Sequence, residues 1–475
     1  MSGAETNRLR SLAAIAGEQN VTAEPDRLRA CSIDGLAPAI AVRPANPGEI
    51  VEVLRYCAAE KLAVVPVGAA TKLTLGAPPS RYDVALLTTR LDRVLSYDPG
   101  DLTLSVEAGA PLAGLTDLLA RHHQLLPLAV PFQRQATVGG TVASGVDSPL
   151  RQRYGGIRDF LLGAEFVTGD SVAARSGGRV VKNVAGYDLH KLFIGSLGTL
   201  GVITRVNFKT FPLPEASRGF LASFSSEAGA LEMLRRVSAS PLAPATLEIL
   251  NPTLAGLLAR RTPHADADLP LPGPWFPASA WLLAAGYGGN EAVLGRYANE
   301  LGRMAAETGA TGAEVLGDDR RPAVWGRLRE AIPLLLDSSP AATIARVSVL
   351  PSCIGKILTA ARRSAERHHL SVATLARGTG VVYIAFLPEP PAGESGDAAV
   401  LKEELLAALT AASTELVDAA AAADGFASVP WSPPALKSRI PVWGRERADL
   451  PLMRRVKHVF DPEGLFSPGR FLGGI

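Results

Sequence analysis

Glycine recurs so often between residues 177 and 203 (GGRVVKNVAGYDLHKLFIGSLGTLGVI) that the main chain there is built to lie close against something else. In Gly195-Ser196-Leu197-Gly198-Thr199-Leu200-Gly201, a side chain at Gly198 or Gly201 would block close approach. Bare glycine instead leaves amide N–H groups open to the anionic oxygens of a ligand. Lys182, Asn183, Tyr187 and Asp188 place polar groups between the glycines, and Val202-Ile203 reads as the strand that follows.

Two more segments of this kind lie upstream. Residues Lys61 to Val67 (KLAVVPV) read as a short buried strand that empties into Gly68-Ala69-Ala70-Thr71-Lys72, a small-residue turn with one hydroxyl and one cation. The run Ala136-Thr137-Val138-Gly139-Gly140-Thr141-Val142-Ala143-Ser144-Gly145 reads as two glycine-bearing turns flanking a short apolar segment. A single Gly-rich turn is usually no more than a turn. The first loop lacks the Gly-Lys-Ser/Thr ending of a P-loop, and no G-x-G-x-x-G opens a helix after the first strand. Three such loops in one region exceed what turn closure asks for.

In this order the segments resemble the FAD-binding domain of the vanillyl-alcohol oxidase type flavoproteins. The residues that carry the likeness are Pro66-Val67-Gly68-Ala69-Ala70-Thr71, Ala136-Thr137-Val138-Gly139-Gly140, Tyr154-Gly155-Gly156-Ile157-Arg158-Asp159, Lys182-Asn183-Val184-Ala185-Gly186-Tyr187-Asp188-Leu189 and the Gly195 to Gly201 run. The tail, Asp461-Pro462-Glu463-Gly464-Leu465-Phe466-Ser467-Pro468-Gly469-Arg470, is similar to the ending usual in that family. Within it, the pattern is most similar to the FAD-binding subunits of bacterial glycolate oxidases. The likeness spans about residues 40 to 214 and 455 to 471 and is weak between 215 and 440.

The resemblance implies FAD. Pro66, Val67, Gly68, Ala69, Ala70, Thr71 and Lys72 would cradle its pyrophosphate. Thr137, Val138, Gly139 and Gly140, with Ala143, Ser144, Gly145 and Val146, would line the flavin and its ribityl chain. Leu197, Gly198, Thr199, Leu200, Gly201, Val202 and Ile203 would close the far side. Many relatives carry glycine where Ala69 or Ala70 stands, and Glu where Leu197 stands. Some tether the flavin through His or Cys in the first two loops; neither loop has one here, so the FAD is expected to be non-covalent.

The 475 residues exceed a single core, and 47% hydrophobic residues suffice for at least two domains. Net charge is +2, from 48 basic and 46 acidic residues that are interspersed, so no electrostatic footprint for nucleic acid is present. Cys31, Cys57 and Cys353 are scattered and lack C-x-x-C spacing, against a disulfide framework, zinc knuckle or iron–sulfur site. The N-terminus has no long apolar h-region, and no run of about 18 apolar residues is uninterrupted. A cytoplasmic protein without direct membrane insertion is expected, any membrane association being through partners.

Periodicity supplies the architecture. Helical spacing at Ile50, Val53, Leu54 and Cys57, strands at Val84 to Leu87 and Leu102 to Val106, and a helix from Leu112 to His122 imply an α+β domain of two subdomains, about 28–94 and 95–214, with FAD between them. After Pro212 and Pro214 the pattern changes. Strands are expected at 220–224, 246–250, 280–287, 343–350 and near Val372 and Val382; helices at 227–238, 291–307, 354–368 and, Ala-rich, 402–424. This suggests a ferredoxin-like antiparallel sheet, with its unit repeated, in a cap over 215–440; residues 441–475 would return to the FAD domain. Pro-rich 263–278 and 388–396 read as cap loops.

Chemistry is less legible. A hydroxy acid oxidised at a flavin needs its carboxylate held and its hydroxyl polarised. Relatives that do this usually carry metal-binding histidines in the cap. Here His264, His368 and His369 lack such spacing, and adjacent helical histidines diverge by about 100°. No metal is expected. Arg346, in an otherwise apolar strand, is the candidate for a substrate carboxylate, against an edge Arg paired with a local acid. Arg377 is a weaker candidate, and Lys182 could offset flavin or phosphate charge. Three readings stay open: an FAD subunit of a complex oxidising a small, glycolate-like 2-hydroxy acid beside a catalytic flavoprotein and an iron–sulfur subunit; a stand-alone FAD dehydrogenase; or a non-catalytic flavin scaffold.

Overall fold

A computed structural model describes residues 3–179, 186–260, 279–388 and 402–475. Lys182, Asn183, Val184, Ala185 and His264 lie outside them, as do the Pro-rich segments 263–278 and 389–396.

The N-terminal half holds two sheets. The first comprises β1 (Val21–Thr22), β2 (Ile40–Val42), β3 (Val64–Val67) and β4 (Val84–Leu87) in the order β1-β2-β4-β3. Its parallel strands β2, β4 and β3 are apolar nearly throughout, as burial on both faces requires. The helix Pro47–Ala59 connects β2 to β3. Asn46 caps it by accepting from Glu49 N, the Glu49 carboxylate reaches back to Ala45 N, and Ile50, Val53, Leu54 and Cys57 face the core. The second sheet, β5 (Val94–Asp98), β6 (Thr103–Glu107), β8 (Leu161–Val167), β9 (Ala173–Gly177) and β10 (Val202–Lys209), runs β5-β6-β10-β8-β9, all antiparallel. A small ribbon pairs β7 (Gln124–Leu125) with β11 (Phe211–Pro212).

The C-terminal half is one eight-stranded antiparallel sheet: β12 (Ala216–Phe224), β13 (Thr246–Leu250), β14 (Trp281–Gly289), β15 (Gly312–Leu316), β16 (Thr343–Ser348), β17 (Leu370–Arg377), β18 (Val381–Pro388) and β19 (Phe426–Trp431). Its order, β15-β12-β14-β13-β17-β18-β16-β19, is a ferredoxin-like four-strand unit followed by its repeat in reverse, joined where β13 pairs with β17. Helices Glu227–Ala239, Glu291–Glu307, Ile354–Arg367 and Glu403–Ala422 pack on one face. The last is long and apolar enough to cross a membrane by length and composition, yet Leu406, Leu409, Leu416 and Ala420 lie in this core. The other face meets helices Pro252–Ala259, Arg321–Arg329 and Ala331–Ser338 and, through Tyr383, Leu375 and Trp431, the residues Leu75, Val146 and Leu197 of the N-terminal half. The molecule is thus α+β, with a repeated ferredoxin-like cap.

The chain's end threads back into the first sheet. Val64 bridges Phe466, Val64 N donates to Leu465 O at 2.9 Å, and Ser467 N donates to Val64 O at 2.9 Å. One expectation changes. Residues Val138–Ser144 form a short α-helix, not a segment between two turns. Thr137 caps it through Gly140 N at 3.2 Å, and the burial of Val138 and Val142 compensates for its poor helix formers.

Candidate functional site

The three glycine loops interlock where the two N-terminal sheets meet. A Cβ at Gly68 would collide with Thr137 Oγ1, so the first loop lies directly on the cap of the second. Gly139 N donates to Ala108 O at 2.7 Å, and a Cβ there would come within 2.6 Å of Ala108 Cβ. In the third loop, Leu197 N donates to Ala143 O at 2.9 Å, and Gly198, with φ +73°, faces Pro66 so closely that a Cβ would stand 3.0 Å from its ring. Leu197 and Ala70 themselves hold positive φ, at 53° and 60°, a strained setting for non-glycine residues.

Between the loops lies a cleft. Its walls include Pro66 to Lys72 from the first loop and Thr137, Gly139, Gly140, Ala143 and Ser144 from the second; Leu197, Gly198, Gly201, Val202 and Ile203 come from the third. Leu73, Thr88, Ala108 and Arg470, to which the sequence reading assigned no role, complete it. Val138, Thr199 and Leu200 turn away. Val138 and Leu200 pack in the core of the second sheet, and the buried Thr199 hydroxyl donates to Ser196 O at 2.7 Å. Gly145 and Val146 line a neighbouring pocket instead.

The cleft suits an anionic, flat cofactor. The amides of Gly68, Ala69, Ala70 and Thr71 find no acceptor among the described residues, and successive free N–H groups in such a turn form an anion-binding concavity. Two cations face the same space. Arg470 donates to Leu73 O and Leu75 O, keeps a buried Nε without a partner, and is lowered by burial to about 10. Lys72 lies over the Phe132 ring, 5.8 Å from its centroid; burial lowers it to about 8 against the pull of Glu330. Among the described residues the wall carries neither His nor Cys. Tyr187 and Asp188 point outward, Tyr187 90% exposed and Asp188 paired with Lys191 at 2.6 Å, so neither reaches the cleft.

Ser144 also lines a second pocket, of about 250 Å³, whose other walls come from Gly145 and Val146, cap strands β16, β18 and β19, and the C-terminal segment. Arg346 lies here. Its strand β16 runs between β18 and β19, so it is no edge residue, and its side chain makes no ion pair or hydrogen bond with any described residue. In register, Arg346 stands opposite Tyr383 and Ser428, which puts the three on one face of the sheet. Tyr383 is 2% exposed, and its hydroxyl has no partner among the described residues.

Arg377 has a different job. It is buried between Glu248, at 2.9 Å, and Asp147, at 2.8 Å, and so ties the cap to the N-terminal half; it is not a substrate arginine. His368 is 3.1 Å from Glu415, and among the described residues no three His, Cys, Asp or Glu side chains gather as a metal site would need. Tyr383 and Ser428 escaped the sequence reading because only strand pairing brings them beside Arg346.

Residues 38–176 match the FAD binding domain family, and residues 213–428 and 439–471 match the family described as FAD linked oxidases, C-terminal domain. The chain is 25% identical to glycolate oxidase subunit GlcD of Bacillus subtilis (strain 168) over 436 residues, 91% of this chain and 88% of that one. It is 38% identical to glycolate oxidase subunit GlcE of Escherichia coli (strain K12) over 170 residues, 35% of this chain and 48% of GlcE. The structure of p-cresol methylhydroxylase with substrate bound shares its fold, with a TM-score of 0.76 at 18% identity, covering 99% of this chain and 97% of the other. The protein belongs to the FAD-linked oxidase family and is an FAD-dependent oxidoreductase.

Proposed function

We propose that this chain oxidises a 2-hydroxy acid and does so as one subunit of a larger complex. The observation that carries the reading is Arg346, an unpaired guanidinium lining the pocket that shares Ser144 with the flavin cleft. A fork of N–H donors with no protein acceptor fits a carboxylate in two-point contact. The Tyr383 hydroxyl beside it offers a donor or acceptor to the substrate's oxygens. FAD, when bound, supplies the acceptor for the hydrogen and electron pair of the C2–H bond. The hydroxyl proton leaves separately, and a 2-oxo acid results. Arg346 holds the acid and the apolar walls exclude water; the FAD itself would sit on the first-loop amides, Lys72 and Arg470.

The names of GlcD and GlcE, both glycolate oxidase subunits, support a 2-hydroxy acid and a multi-subunit setting. The described residues supply no metal-binding cluster to polarise the hydroxyl, which favours help from a partner: a catalytic flavoprotein and an iron–sulfur subunit that takes the electrons. The test is to add 2-hydroxy acids anaerobically to the FAD-loaded chain, alone and co-purified with the products of neighbouring genes. A 2-hydroxy acid should bleach the flavin, and dye reduction by the chain alone should fall well below about 10 per second, rising with partners. Bleaching by no acid in either preparation overturns the reading. The isolated chain reaching about 10 per second overturns its subunit part.

A further inference from the structure

The pocket beside the flavin cleft is larger and more apolar than a two-carbon acid requires. Apart from Arg346, its walls are dominated by Tyr383, Phe426, Trp431, Trp443, Met453 and Phe471. One other cation, Arg447, reaches it, but Arg447 is already neutralised. Its Nε and Nη2 donate to Asp449 at 2.9 and 2.8 Å, and its guanidinium lies 5.7 Å from the Phe426 ring centroid. Among the described residues, the pocket therefore offers one uncompensated positive charge at one point and aromatic surface around it.

We infer that the substrate is a monocarboxylic 2-hydroxy acid with a bulky apolar or aromatic side chain. This rests on the reading that the pocket holds a 2-hydroxy acid, and it specifies which one. A second carboxylate would be desolvated against aromatic rings with no cation to meet it, a cost that disfavours dicarboxylates. A glycolate-sized acid would leave the aromatic walls in contact with water, forgoing the burial that gives such a pocket its affinity. The carboxylate lies on Arg346 beside Tyr383, and the apolar body lies against Trp431, Trp443 and Phe471.

The test reads binding by calorimetry on the full, FAD-loaded chain. The probes lack the C2 hydroxyl and so cannot turn over: propanoate, 3-phenylpropanoate and glutarate. Burying a phenyl ring should make 3-phenylpropanoate roughly 10- to 100-fold tighter than propanoate. Glutarate should bind no tighter than propanoate, and R346Q should weaken 3-phenylpropanoate at least about tenfold. In parallel, anaerobic flavin bleaching is followed with lactate, 2-hydroxyglutarate and 3-phenyllactate. Equal affinities for propanoate and 3-phenylpropanoate, or glutarate binding tightest, overturn the substrate class. If lactate or 2-hydroxyglutarate still bleaches the flavin in that case, the 2-hydroxy acid reading itself stands. Absence of both binding and bleaching with every acid overturns both. The wild-type probe series decides the question even if R346Q does not fold.

Discussion

A methyl group at position 68 would run into Thr137 Oγ1, the oxygen that caps the helix Val138–Ser144. Gly68→Ala should therefore displace the cap, lower stability by about 0.5–2 kcal/mol and reduce the FAD bound per chain. If the clash is the cause, adding it to Thr137→Ala should cost little more; thermal melts and flavin-to-protein absorbance ratios read both. Unchanged flavin content in Gly68→Ala would contradict the contact. Lys72 gives a pH dependence. Its folded value of about 8 lies below the usual 10.5, so the unfolded chain holds this proton more tightly. The flavin-free protein's stability should therefore gain from Lys72 as pH rises between these values and lose that gain as pH falls back through 8. FAD binding should run the other way. A diphosphate near the ammonium favours the protonated form, so affinity should fall as pH rises past about 8, and Lys72→Met should flatten that slope. Titration of FAD affinity between neutral and alkaline pH checks this. The glycine loops were legible in the sequence because only glycine tolerates such contacts. The roles of Tyr383 and Arg470 were not, because they depend on partners far away in the chain.

Spacing read alone reproduces most of the cap's elements. The strand Thr246–Leu250 and the helix Glu291–Glu307 fall where alternation and 3.6-residue periodicity put them. The helix Val138–Ser144 does not announce itself, because its glycines, β-branched residues and serine disfavour helix; a cap and buried contacts hold it. Arg377 departs from its sequence pattern for a similar reason. An arginine beside two glycines looks available for a ligand, whereas the fold places Glu248 and Asp147 on it. Burial raises the Glu248 carboxyl even beside that guanidinium. Arg377→Leu would strand the buried Glu248 carboxylate and leave Asp147 with Arg151 alone, and we expect a loss of about 3–5 kcal/mol. Arg377→Lys should recover only part, since one ammonium cannot fork to both acids. Urea midpoints at constant m-value measure this; a loss under about 1 kcal/mol for Arg377→Leu would mean that the clasp carries little.

Across the whole molecule, the cap and the FAD half meet through contacts that no local pattern reveals. Lys437 reaches Asp34 at 2.7 Å, Arg377 reaches Asp147, and Glu330 accepts from Phe132 N at 2.7 Å. Each joins residues hundreds of positions apart or nearly so, which is why the sequence suggested two bodies but not the pocket between them. We propose 1–214, 215–440 and 441–475 as the domain scheme, because the tail pairs with β3 and supplies Arg470 to the cleft. Since the described residues put no His or Cys on the cleft wall, the fold, not a covalent bond, should retain the flavin. The most direct measurement is acid precipitation of the purified, FAD-reconstituted chain. The account predicts a colourless pellet and about one equivalent of FAD in the supernatant. A yellow pellet, or a chain that takes up no flavin, would contradict it.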